Sequence, residues 1–146
     1  MIAQAYLEKN CTSKAFVRAV AGLYPDVRFT YRPALVEERE IVIAPNRDAK
    51  PDAIVRKTAA FVADKLAEWD VKDSKGNAVE KSAANLLRLQ PALYDRFVGI
   101  VLGYLPTDID PTWPEAVKEK EAEEQHESAL TGDELAAVRE RADAKN

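Results

Sequence analysis

The side chains that could carry out chemistry are few. His126 is the single histidine, and so the one group whose unperturbed pKa lies near neutrality. It sits in Glu123-Glu124-Gln125-His126-Glu127. A general base needs a pocket and an orienting partner, and a charged run supplies neither. With Glu123 it has the (i, i+3) spacing of carboxylate-bridged metal sites in helix bundles, but those sites draw such pairs from more than one helix. A solvated surface histidine is the simpler reading.

Cys11 lies between Lys9 and Lys14, whose charges favour a thiolate. As the only cysteine it excludes an internal disulfide and two-cysteine zinc motifs, and a catalytic dyad would have to recruit His126. Asp70 and Asp73 flank Ser74-Lys75-Gly76. That stretch lacks the dense oxygen ligands and closing glutamate of a calcium loop, so the two acids read as turn residues. The five glycines are scattered, which leaves no phosphate-cradling loop and no nucleophile elbow. The expectation is a non-enzymatic protein with no catalytic residue, cofactor or metal.

Most aromatics fall on apolar stripes and read as core: Phe29, Tyr31, Phe61, Trp69, Tyr94 and Phe97. Trp113, in Pro111-Thr112-Trp113-Pro114, stands outside those stripes. It either packs back or anchors a partner, as tryptophans at binding hot spots do.

The elements that must position these groups read as mainly helical. Ser13 opens a helix to about Leu23 on the spacing of Phe16, Val17, Val20 and Leu23, ended by Gly22 and Pro25. Asp26 to Arg32 alternates as a half-buried strand stopped by Pro33. Residues 34–44 suit a helix after Pro33, with a hairpin against 27–32 as the rival, because Ile41-Val42-Ile43 is β-branched. After a loop at 45–51, Asp52 caps a helix through Trp69 on which Ile54, Val55, Thr58, Phe61, Val62, Lys65, Leu66 and Trp69 share a face. Lys65 there lays its methylenes along the core edge with its amine in water. A turn or small hairpin surrounds Gly76-Asn77. Ser82 opens a short helix, and Pro91 starts another that stops near Gly103. Residues 106–111 read as linker. Residues 113–146 read as two weakly amphipathic helices or as disorder, with a capping box at 131–134. The expected architecture is a compact helical domain with a minor β element over 1–105, and an acidic linker and tail over 106–146.

Charge divides the same way. Residues 1–105 hold 16 Lys and Arg against 13 Asp and Glu, whereas residues 106–146 hold 5 against 12. An acidic chain lacks the electrostatic footprint of phosphate binding, so nucleic acid is not expected as a partner. No apolar run reaches the roughly 18–20 residues of a bilayer span, and the N-terminus lacks the pattern of a secretory signal. With one cysteine, these features point to cytoplasm rather than membrane.

Residues 27–103 resemble the tail assembly chaperones of tailed phages and prophages. The likeness is carried by Phe29-Thr30-Tyr31-Arg32-Pro33 with Val36-Glu37-Glu38-Arg39, then Leu66-Ala67-Glu68-Trp69-Asp70-Val71-Lys72-Asp73 with Gly76. Asn85-Leu86-Leu87-Arg88-Leu89-Gln90-Pro91-Ala92-Leu93-Tyr94-Asp95 follows, running into Ile100-Val101-Leu102-Gly103. The resemblance implies a protein of the host cytoplasm that binds the hydrophobic tape-measure protein and keeps it soluble while tail-tube subunits assemble. It would be absent from the finished particle, and some such proteins are also made in a frameshifted longer form. The alternatives are a head–tail connector or tail-completion component of the virion, or a small regulatory adaptor. A holdase needs an apolar groove for an amphipathic helix. Helices 52–69 and 91–103 would form it, which makes Phe61, Leu66, Val98 and Val101, with Trp113, the candidate partner-binding residues. The same apolar faces also allow a homo-oligomer.

Overall fold

The computed structural model describes residues 5–45, 48–114 and 116. Residues 2–110 form one compact unit, and a second begins at Pro111. His126, Glu123, the 131–134 capping box and the two tail helices lie outside the described residues, as do Asn46 and Arg47 of the 45–51 loop.

The compact unit is an α+β fold, and the expectation of a mainly helical domain is corrected. Strands β1 (Ser13–Val17), β2 (Val27–Tyr31) and β3 (Leu66–Trp69) form an antiparallel sheet in the order β1-β2-β3. Helices α1 (Val36–Ile43) and α2 (Pro51–Lys65) intervene between β2 and β3, and α3 (Ala83–Leu86) and α4 (Pro91–Leu102) follow.

Two helix expectations fail for the same reason. Phe16, Val17, Val20 and Leu23 fit a helical spacing, yet β1 replaces that helix because β2 offers a full backbone ladder from Ser13↔Tyr31 to Val17↔Val27. Gly22, at φ +81°, turns the chain between them, and Val20 pairs with Tyr24. The long helix expected over 52–69 stops at Lys65, and the next four residues become β3 on the other edge of β2. A register shift at Thr30/Tyr31 brings Leu66 and Trp69 opposite Tyr31 and Phe29. Tertiary pairing overrides local propensity in both places.

The other elements follow their end signals. Pro51 and Pro91 each open a helix, where a missing N–H costs nothing. Asp52 sits in the first turn of α2, paired with Arg56 at 3.5 Å, and is not its cap. The Ser82 side chain accepts from Asn85 N–H and caps α3. Gly103, at φ +85°, ends α4 in the left-handed conformation that glycine adopts without a Cβ penalty. The chain then folds back so closely that a Cβ on Gly99 would meet Leu105 Cγ at 2.7 Å.

One sheet face carries the core. Ala15, Val17, Val27 and Phe29 pack with Val62, Leu66, Leu86, Leu93, Phe97, Ile100 and Val101. Phe97 stacks on Phe29 at 4.2 Å between centroids and meets Trp69 edge-on at 5.8 Å. Trp69 also donates its indole N–H to Val79 C=O at 2.7 Å.

The other face is crossed by residues that composition assigns to a linker. Thr107 Oγ1 accepts from Phe16 N–H at 2.7 Å, and Asp108 N–H donates to Phe16 C=O at 2.9 Å. Asp108 Oδ2 accepts from Arg18 N–H, and its Oδ1 lies 3.1 Å from Arg96. Asp110 is 1% exposed and takes Arg28 Nε at 2.6 Å, while that guanidinium lies over the Phe16 ring. Residues 107–110 thus close the outer edge of β1, which would otherwise present unpaired backbone groups.

Lys65 departs from its expected place. It is 9% exposed, and its amine pairs with Glu38 Oε2 at 2.6 Å instead of reaching water. Glu38 Oε1 accepts from Leu35 N–H at 3.0 Å, so one carboxylate holds the start of α1 to the end of α2. The Lys65 hydrogen bond, with the bond from Leu35, holds the Glu38 carboxyl below the ordinary glutamate value of 4.5.

Candidate functional site

Three segments that are distant in sequence meet around an open cleft of about 590 Å³, within the size range of small-molecule and side-chain sites. The β1–β2 turn contributes Leu23 to Val27, the stretch after β3 contributes Asp70 to Asp73 with Val79, and the α3–α4 junction contributes Asn85 and Arg88 to Gln90, with Leu93. Val27 and Leu93 belong to the core, and Tyr24, Val71 and Leu89 are half-buried against it. The base of the cleft is therefore an apolar extension of the core, and Leu23 stands at its margin, 49% exposed.

The carboxylates around the cleft hold the loops in place. Asp26 Oδ1 accepts from Ala19 N–H at 2.7 Å, and Asp70 Oδ1 from Arg28 N–H at 2.8 Å. Asp73 Oδ1 accepts from both Lys75 and Asn77 N–H at 2.9 Å. With Gly76 at φ +81° and the Lys72↔Ala78 bridge, this is the small hairpin expected at Gly76-Asn77, with an Asx-type bond at its base. Asn85 Nδ2 donates to Glu80 C=O at 2.7 Å. The arrangement suits binding: a preformed apolar base and a polar margin fixed by its own hydrogen bonds.

The chemistry-bearing groups are elsewhere. Cys11 is half-buried, in a smaller hollow that also takes in Glu38 and Lys65. Among the described residues, no three His, Cys, Asp or Glu side chains gather closely enough to hold a metal ion, and no helix is long and apolar enough to cross a membrane. Burial raises the phenols of Tyr31 and Tyr94, the latter with a further push from Asp95.

None of the five candidate partner-binding residues lines the cleft. Leu66 and Val101 are buried in the core and present no surface to a partner. Phe61 and Val98 are half-buried against that core, with the Lys65 amine 5.6 Å from the Phe61 ring centre. Trp113 is partly exposed and belongs to the second unit. The expected groove between helices 52–69 and 91–103 is filled by their mutual packing. The residues that sequence reasoning missed are Leu23, Val27, Val71 and Leu89. Each reads locally as part of an apolar stripe or a turn, and only the chain's return brings them together.

No protein-family model matches the chain, and neither does any curated protein or solved structure.

Proposed function

We propose that the chain is a phage tail assembly chaperone that binds the tape-measure protein in the host cytoplasm and keeps it soluble while tail-tube subunits assemble, without turnover chemistry. One observation carries this reading. Two of the stretches that bear the resemblance, 66–73 and 85–95, are separate in sequence yet both line the same apolar-based cleft. Apolar side chains from an amphipathic client helix would enter against Val27, Val71, Leu89 and Leu93, in a helix-in-groove contact. Asp26, Lys72, Asp73 and Arg88 surround that contact and would set encounter rate and partner choice.

Co-expression with the tape-measure protein encoded beside it tests the reading. The client is expected to be soluble with the wild-type chain and to return to the insoluble fraction with Leu23→Glu, a change at a half-exposed position that spares the core. A client equally soluble with and without the chain would defeat the proposal. Stoichiometric amounts of the chain in purified particles would point instead to a virion component.

A further inference from the structure

The run Ile41-Val42-Ile43 puts three successive β-branched residues on α1, about 100° apart around the helix. One of them at most can face the body squarely, and it is Val42, which is buried. Ile41 is left 60% exposed and Val36 67%, with Leu35 and Ile43 also uncovered. On the first turns of α2, Ile54 and Val55 are exposed as well. Lys57 Nζ donates to Ile41 C=O at 3.2 Å, which holds the end of α1 beside the start of α2. β-Branched residues lower helix propensity. In these exposed positions they give the core nothing in return.

The charges on this face have one sign. Around the helix, Glu40 and Glu37 fall between Val36 and Ile41, and both carboxylates are exposed. Arg39 is turned away over the Tyr104 ring at 4.7 Å and reaches Glu40 only at 3.6 Å. We propose that the exposed face of α1, continued by Ile54 and Val55, docks an amphipathic helix that flanks its aliphatic side chains with Lys or Arg. A second copy of this chain fits poorly, because a two-fold contact would set Glu37 and Glu40 against their own counterparts. This surface is distinct from the cleft, and the inference does not depend on the chaperone reading.

The test uses the full chain and two synthetic helical peptides with identical aliphatic faces, one flanked by Lys and one by Glu, read by fluorescence anisotropy. The Lys peptide is expected to bind at least about tenfold more tightly, with the preference shrinking as salt rises. The double change Glu37→Lys/Glu40→Lys is expected to reverse that order. Ile41→Gln should weaken the Lys peptide while leaving thermal unfolding unchanged, and Leu23→Glu in the cleft should leave it bound. Equal binding of the two peptides, no binding of either, or a double variant that keeps the wild-type preference would overturn the proposal. Loss of the Lys peptide with Leu23→Glu would place it in the cleft and overturn it too. So would self-association in sedimentation that Ile41→Gln abolishes, since the face would then be an interface between copies.

Discussion

Residues 107–110 and helix α1 exchange the places their compositions suggest. Thr107-Asp108-Ile109-Asp110 is polar and reads as linker, yet its Asp110 is among the most buried side chains of the compact unit. Val36 to Ile43 contains a run of three β-branched aliphatics, yet most of its apolar residues face solvent. The difference lies in what each segment can reach. The strap meets an open strand edge whose backbone groups need partners, and Arg28 supplies the countercharge that makes burial of a carboxylate tolerable. Helix α1 has only one narrow face against the body, and Val42 fills it. Hydrophobicity proposes burial, but the available partners decide it.

The sharpest calibration of that contrast is the core itself. Phe97→Ala should lower stability by about 3–5 kcal/mol in denaturant melts, because it removes the ring against which Phe29 and Trp69 pack. The strap should come next. Asp110→Ala leaves the Arg28 guanidinium without its carboxylate and should cost about 1–3 kcal/mol. Truncation after Leu105 should destabilise the body, whereas truncation after Asp110 should leave it folded. Equal stability of the two truncations would show that the strap contributes nothing.

Glu38→Gln should have a smaller effect, about 1–2 kcal/mol, because it leaves the Lys65 amine without an opposing charge and the pair is partly open to solvent. The Glu38 carboxyl is held below its ordinary value in the folded chain. Its contribution is therefore complete above the unfolded pKa and disappears as pH falls through the lowered folded value. The wild-type advantage over Glu38→Gln should accordingly be full at neutral pH and shrink on acidification below about 4.5. Least of all, Ile41→Gln should move stability by no more than about 0.5 kcal/mol in either direction. A larger loss would mean that Ile41 is packed and that the contrast with the strap is false.

The same contrast marks what could be read from the sequence. Elements with local end signals were legible: α4 between Pro91 and Gly103, α3 from its Ser82 cap, β2 before Pro33, the Gly76 turn, and α1 as the favoured helix after Pro33. Strands β1 and β3 were not, because Phe16-Val17 and Leu66–Trp69 also satisfy a helical spacing and only pairing with β2 distinguishes the two. Missing both is what made the chain look mainly helical. The strap was illegible because its bonds connect residues about 90 positions apart. The cleft was illegible for a related reason. Its lining comes from three loops, while the search for a groove followed the strongest helical stripes, on Leu66 and Val101 among others, and these are occupied with one another.

The account's central claim is that a client protein binds in the cleft between the β1–β2 turn, the 70–79 hairpin and the α3–α4 junction. Hydrogen–deuterium exchange of the full chain, alone and co-purified with the tape-measure protein, tests it most directly. Slowed exchange is predicted in 23–27, 70–79 and 85–93 together. A stable complex whose protection spares all three segments would contradict it.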